Sequence, residues 1–217
     1  LEYVIIAGIL LASYLIGSIP FGLLAGKVFY KKDIRDYGSG NIGATNAYRT
    51  LGPVPGIAVF FADFLKGFVP ALAAKIILKP IDPNVVPLIS ILAGVVSMTG
   101  HNYSVFLKFK GGKGMSTAAG FIAAIWPLVM VILLIVWIMV IAITRYVSLA
   151  SMIVAVLFPV LVVFFDRQPP YVVFSVLTAI VGVYRHRSNI KRLLNGTELK
   201  IGSKAKKKEE MGVDGSE

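Results

Sequence analysis

Long apolar runs alternate with short polar stretches along this chain. The runs are Tyr3–Val28, Pro55–Leu78, Val85–Gly100, Met115–Ile143, Val147–Phe165 and Tyr171–Tyr184. A helix needs roughly 20 apolar residues to cross a bilayer, and fewer where neighbours bury its ends, so each run predicts a membrane helix. The fourth would be about 43 Å long, too long for one upright crossing and short for two. Trp126-Pro127 lies inside it. Proline lacks the N–H that a helix interior needs and suits a helix start, so the run reads as two short helices, Met115–Ile125 and Pro127–Ile143, joined by a tight turn. The predicted fold class is an all-α polytopic membrane protein with about seven transmembrane helices.

Charge orients these helices. With seven spans and the N-terminus outside, the inner loops carry Lys27, Lys31, Lys32, Arg35, Arg49, Lys108, Lys110, Lys113, Arg145 and the nine cations between Arg185 and Lys208, which is 18 of the 22 Lys and Arg. Six spans would put the basic C-terminal segment outside, against the preference for positive loops inside. The C-terminus is therefore expected in the cytoplasm. No Lys or Arg precedes the first run and no small-residue cleavage site follows it, so it reads as a span and not as a secretory signal.

Composition agrees: 57% of the residues are hydrophobic and mean hydropathy is +0.80, values of a membrane protein. One transmembrane domain, residues 1–201, is expected. Residues 202–217 form a polar, low-complexity end expected to be disordered, with Lys204–Lys208 able to rest on anionic headgroups. There is no cysteine, hence no disulfide, thiolate metal site or Cys nucleophile. Two histidines, His101 and His186, are too few for a multi-histidine metal site. Neither a cofactor nor a nucleic acid is called for.

Three polar stretches carry the candidate chemistry, and the seven-span reading puts all three on the cytoplasmic face. The first, Asp33–Arg49, contains Gly38-Ser39-Gly40-Asn41 and Gly43-Ala44-Thr45-Asn46 before Arg49. Closely spaced glycines let backbone N–H groups converge on an anion, and Arg49 offers a fork suited to phosphate. Read purely as structure, this is a glycine turn with Asn46 or Thr45 capping a helix. The second, Gly100–Gly114, leads Lys108, Lys110, Gly111, Gly112 and Lys113 into a helix N-terminus, where free N–H groups and the helix dipole favour anions. Its spacing is not that of a nucleotide-binding P-loop. The third, Tyr184–Glu198, holds Arg185, His186, Arg187, Asn189, Lys191 and Arg192. His186 and Asn189 share a face if the helix continues; Arg187, Lys191 and Arg192 read as an ordinary basic juxtamembrane face. Arg145 with Ser148 and Ser151 is a quieter cluster. Asp63 and Lys66, three apart in an apolar helix, read as a structural ion pair.

At these residues the chain resembles a known family. Gly17–Gly22 (GSIPFG) with Gly38–Asn46, Gly100-His101 with Phe109–Gly114, and Tyr184–Asn189 are similar, in that order, to the three motif regions of the bacterial membrane-integral, acyl-phosphate-dependent glycerol-3-phosphate acyltransferases (the PlsY family). The resemblance implies an inner-membrane enzyme with a cytoplasmic active site, membrane lipids around it, and acyl phosphate and glycerol 3-phosphate as substrates. It implies catalytic roles for Ser39, Arg49, Lys113, His186 and Asn189. Ser148 would bind phosphate, with Gly40, Asn41, Thr45, Asn46 and Gly112 in the same motifs and Arg145 beside Ser148. Neither histidine is followed five residues on by an Asp: Phe106 and Lys191 stand there. A substrate phosphate is thus the expected proton acceptor, with His186 orienting it. The competing reading, a transporter of small anions, would predict inverted repeats, and the halves show no self-similarity. A membrane anchor would need the charge bias alone.

Overall fold

The computed structural model describes residues 1–203 and Lys207; the remainder of the predicted polar end, with most of its lysine run, lies outside the described residues. The described residues form ten α-helices: α1 (Glu2–Ser18), α2 (Phe21–Phe29), α3 (Ala44–Leu51), α4 (Pro53–Leu78), α5 (Val86–Asn102), α6 (Met115–Ile125), α7 (Pro127–Thr144), α8 (Val147–Phe165), α9 (Pro169–Arg185) and α10 (Arg187–Leu194). By length and composition, α4, α7 and α8 can each cross a membrane. The break at Trp126-Pro127 falls where the proline predicts it, with Pro127 at the first position of α7.

The first apolar run departs from expectation. It is two helices, α1 and α2, bent by 43°. Pro20 supplies the cause: the residue before a proline is driven out of the helical region, and Ile19 is extended at φ −61°, ψ 119°. Carbonyls freed by such a break need partners inside a membrane protein. Lys66 Nζ donates to the Ile19 carbonyl at 2.9 Å and Ser104 Oγ to the Ser18 carbonyl at 2.6 Å. The same ammonium lies 2.8 Å from Asp63 Oδ1. The Asp63–Lys66 pair is therefore formed, and it repairs the kink in the first run.

Helices α4, α5 and α6 pack together at the centre, with α1 against α5 and the α7–α8–α9 group closing one side. At 11 residues α6 rises only about 16 Å, roughly half the hydrocarbon thickness, and it buries Thr117, Ala118, Phe121, Ile122 and Ala124. An aromatic cluster locks the interior end: Phe158 meets Phe121 and Trp126 edge-on at 6.4 and 5.6 Å, and Trp126 meets Tyr171 at 4.7 Å. The Trp126 indole donates to Asp166 Oδ2 at 3.0 Å, fixing its ring. By contrast α7 is apolar all round and buries only Val129 and Leu133, the pattern of a helix facing lipid.

Candidate active site

The first polar stretch turns on glycine. Gly40, at φ +67°, occupies the left-handed region that side chains disfavour, and its N–H closes a turn onto the Tyr37 carbonyl at 2.9 Å. The Asn46 side chain is fully committed: Nδ2 donates to the Ile34 carbonyl at 2.8 Å and Oδ1 accepts the Ser39 N–H at 3.1 Å. No side chain caps α3, so the expected cap by Asn46 or Thr45 does not form; Asn46 instead ties the loop to the 3-10 turn Ile34–Asp36. Thr45 and Arg49 lie one turn apart on α3, on one face. Arg49 donates to the Leu199 carbonyl at 2.8 Å.

The second stretch is stapled from two sides. Gly111 and Gly112 donate their N–H groups to the carbonyls of Asn102 and His101 at 3.2 and 3.0 Å. Arg185 Nε donates to the Gly112 carbonyl at 3.1 Å, and Nη2 to those of Asn102 and Gly111 at 3.2 Å each. The backbone at Gly112 lies directly on the His101 imidazole, where a Cβ would strike Nε2. The other nitrogen, Nδ1, stands 3.6 Å from Asp63 Oδ1. A carboxylate does therefore reach a histidine, from 38 positions upstream in the chain, a separation that no short sequence motif spans. With Nδ1 toward Asp63 and Nε2 beneath Gly112, His101 supports the loop. Lys113 projects from this loop just before α6, and its Nζ donates to Asn189 Oδ1. The first-turn N–H groups of α6 have no intrahelical partners and flank it.

The third stretch is not one continuous helix. His186, at φ −96°, ψ 8°, ends α9 and starts α10, which sends Arg185 back to the glycine loop and turns Asn189 inward. His186 Nδ1 donates to the Gly182 carbonyl at 2.7 Å, which leaves Nε2 as the acceptor of the neutral ring. Glu198, absent from the sequence-derived site, is its hub. Its Oε1 accepts from Ser148 Oγ and Asn189 Nδ2, each at 2.7 Å, and its Oε2 from Arg192 Nε at 2.7 Å. Glu198 is the sole acid among the residues from Arg185 to Lys208; a lone carboxylate among nine cations is the signal that could have found it.

These groups surround a cavity of about 340 Å3. Its polar end is lined by Ser39, Asn41, Thr45, Asn46, Arg49, Lys113, Ser148, His186, Asn189 and Glu198. Its other end is lined by Phe60, Met98, Ile122, Leu133, Trp137 and Phe158. Ser148 and Phe158 are ten residues apart on α8, so the cavity runs about 15 Å inward from its polar end. Three expected contacts are not on its wall. Gly40 and Gly112 shape the loops that present their neighbours. Arg145, left-handed at φ +64° at the end of α7, turns instead to residues 198–203: its carbonyl accepts the Ile201 N–H at 2.8 Å and its guanidinium donates to the Ile201 carbonyl at 3.4 Å. Among the described residues no three His, Cys, Asp or Glu side chains are grouped to hold a metal ion.

Desolvation and crowding of cations set the ionisation here. Burial, with Arg192, Arg49 and Arg185 nearby, lowers the Lys113 ammonium to about 8. Burial and the Lys113 charge lower His186 to about 4, so its ring is neutral at physiological pH. Burial also lowers Arg49, opposed by Glu198 and aided by Arg192. For Glu198 burial raises the carboxyl, but hydrogen bonds from Ser148, Asn189 and Arg192 outweigh it and hold it below the ordinary range. The site is a polar cavity with a net positive mouth and an apolar extension, suited to an amphiphile with an anionic head.

Comparison with known proteins gives the same direction. A profile described as glycerol-3-phosphate acyltransferase matches residues 7–196. Two relatives named glycerol-3-phosphate acyltransferase 2, from Moorella thermoacetica and Bacillus anthracis, are 43% and 46% identical. The alignments cover 90% and 88% of this chain and 97% of each relative. The fold matches crystal structures of PlsY, an integral membrane glycerol 3-phosphate acyltransferase, in its glycerol 3-phosphate form (TM-score 0.84) and its lysophosphatidic acid form (TM-score 0.81). Both are 38% identical over 91% of this chain and 96% of theirs. The chain belongs to the glycerol-3-phosphate acyltransferase family.

Proposed function

We propose that this protein acylates the C1 hydroxyl of glycerol 3-phosphate with acyl phosphate as donor, at the cytoplasmic face of a bacterial inner membrane. The observation that carries the reading is the continuity of one cavity from the Arg49–Lys113–His186 end to an apolar bore between α4, α6, α7 and α8. That bore takes an acyl chain, and the cationic end takes its phosphate. The aromatic cluster around Phe158 blocks the inner end, which favours an enzyme over a transporter.

Acyl phosphate is already activated, so the protein's work is positioning and charge stabilisation. Two phosphate dianions about 5 Å apart repel by roughly 13 kcal/mol at an effective dielectric of about 20. Arg49, Lys113 and the open N–H groups of α6 offset that repulsion. The hydroxyl oxygen attacks the acyl carbon, the new ester bond forms, the bond to the phosphate oxygen breaks, and phosphate departs carrying the hydroxyl proton. His186 is a weak base at about 4, against about 6 for the second ionisation of a phosphate monoester. Its free Nε2 therefore accepts the hydroxyl's hydrogen bond while the acceptor is being positioned, and at attack the O–H turns to the more basic substrate phosphate oxygen, which takes the proton. Asn189, held between Lys113 and Glu198, fixes the ammonium.

Purified protein supplied with glycerol 3-phosphate is expected to form 1-acylglycerol 3-phosphate from acyl phosphate; comparable turnover with acyl-coenzyme A would sink the donor assignment. In the same assay His186→Gln should keep measurable turnover and the wild-type acidic limb of the pH profile. Loss of that limb with nearly all activity would make His186 the base. Seven spans with the N-terminus outside complete the reading. The natural chain has no cysteine, so single cysteines report cleanly. One at Asp82 should react with an impermeant thiol reagent in intact cells, and one at Lys110 or Ser203 should not; the opposite pattern inverts the topology.

A further inference from the structure

The buried charges of α4 do more than the repair of the first run requires. Lys66 satisfies the Ile19 carbonyl, and a counter-ion anywhere around its ammonium would balance it. Asp63, only 2% exposed, instead stands between that ammonium and the His101 ring. The same oxygen, Oδ1, lies 2.8 Å from Lys66 Nζ and 3.6 Å from His101 Nδ1. Nδ1 is fully buried, and among the described residues no closer acceptor faces it. A buried donor takes the partner that is present, so the Nδ1 proton is directed to Asp63 and Nε2 is left bare. That tautomer matters at Gly112. Of its two Cα hydrogens, the one that a Cβ would replace points at Nε2. A bare nitrogen accepts such a C–H, whereas a proton on Nε2 would meet it head-on and push the glycine away. The other groups of Gly112 are already tied. Its N–H goes to the His101 carbonyl at 3.0 Å and its carbonyl accepts Arg185 Nε at 3.1 Å. Lys113 is the next residue, and Asp63 and His101 both line the cavity into which it projects.

We infer that Asp63 and His101 are positioning residues for acyl transfer: Asp63 fixes the His101 tautomer, the bare Nε2 seats the Gly112 backbone, and the seated backbone sets where the Lys113 ammonium stands. The kinetic consequences rest on the function proposed above; the tautomer stands without it. Neither residue needs to touch a reacting atom. Glycines on both sides of Lys113 leave its backbone free to move, and a misplacement of about 1 Å near the chemistry can cost about a hundredfold in rate. Asn189 holds the Nζ end of the side chain. The imidazole, wedged between a carboxylate and a glycine, holds the backbone end. The carboxylate oxygen that faces His101 also binds the ammonium that satisfies Ile19. One side chain of α4 thus sets both the break between α1 and α2 and the height of the glycine loop. Asp63, which in the sequence is half of a structural ion pair, becomes part of the support of the active site.

Two measurements on the full chain in detergent test this. The chain has two histidines, so isotope-labelled histidine in a His186→Gln background gives nitrogen NMR signals from His101 alone. They should show a protonated Nδ1 and a bare Nε2, and adding Asp63→Asn should move the proton toward Nε2. A proton resident on Nε2 with Asp63 intact overturns the inference, and that reading does not depend on whether Asp63→Asn folds. The second measurement is kinetic. His101→Asn keeps a donor toward Asp63 but is too short to reach Gly112, and should lower kcat/KM by about tenfold to a hundredfold. The same change in a Lys113→Ala background should cost less than about threefold, because a residue that acts through Lys113 then has nothing left to position. His101→Gln, long enough to bring its amide oxygen to the Gly112 hydrogen, should recover part of the loss. Equal fold-losses in the two backgrounds would make His101 a structural residue and sink the proposal. Failure of the proposed reaction looks different: the wild type would show no turnover with acyl phosphate, while the His101 tautomer would still read as expected.

Discussion

Lys113→Ala should lower kcat/KM for acyl transfer by about two orders of magnitude or more, and Arg49→Ala should do the same. Both cations are partly desolvated against a ligand-binding cavity. Truncating one partner of a desolvated charge pair costs about 2–5 kcal/mol, and each 1.36 kcal/mol is about tenfold in rate. The Lys113 effect should be the larger, because that ammonium also holds Asn189 in place. The pH profile identifies the charge as the active feature. In the free protein Lys113 loses its proton near 8, so kcat/KM, which reports the free enzyme, should fall as pH rises through that value. Lys113→Arg keeps the charge at any accessible pH and should remove this alkaline limb while retaining part of the activity. Near-normal turnover in Lys113→Ala would show that the glycine loop is an anchor to the membrane surface. An unchanged alkaline limb in Lys113→Arg would place that titration on another group.

Glu198→Ala should be nearly as damaging, by a different route. Its carboxylate gathers Ser148, Asn189 and Arg192, so its removal strands three donors and releases the cation of Arg192. Breaking a buried ion pair from one side typically costs about 3–5 kcal/mol. Arg192 is one-third exposed, and water screens part of that loss, so the lower end, about 3 kcal/mol, is the expectation. The variant should melt earlier in detergent and lose about a hundredfold in turnover, because Asn189 no longer holds the Lys113 ammonium in one position. Glu198→Gln retains an oxygen for two of the donors and should recover most of the melting temperature. Its turnover should recover less, since the neutral amide no longer counters the charge of Arg49 and Lys113. Equal activity in Glu198→Ala and wild type would remove Glu198 from the site.

The two predictions differ in how far the sequence could have led to them. Lys113 and Arg49 are legible because glycine and cations in an apolar chain have few other uses. Glycine patterns mark where backbone approaches a ligand or another backbone, and that preference is local. The same is true of the helices: six of the seven predicted spans begin and end within two residues of observed helix bounds, because apolar run length and proline position act along the chain. The exception is the first run, where Pro20 breaks the helix. A break inside a membrane protein survives only where distant groups satisfy its carbonyls, here Lys66 and Ser104.

What the sequence by itself determined was the bounds of most of the apolar helices, the polar stretches between them and the cations suited to phosphate. All follow from properties of neighbouring residues: run length, periodic apolarity, glycine and proline. Only the tertiary structure decided which polar residues face the same cavity. It placed Arg145 against residues 198–203 and spent the amide of Asn46 on the loop's own backbone. It brought Asp63 to His101 and made Glu198 the common acceptor of α8 and α10. The physical reason is that a buried polar atom must find a partner, and the partner is chosen by how the helices pack, across separations of 12, 38 and 50 residues that no local pattern reports.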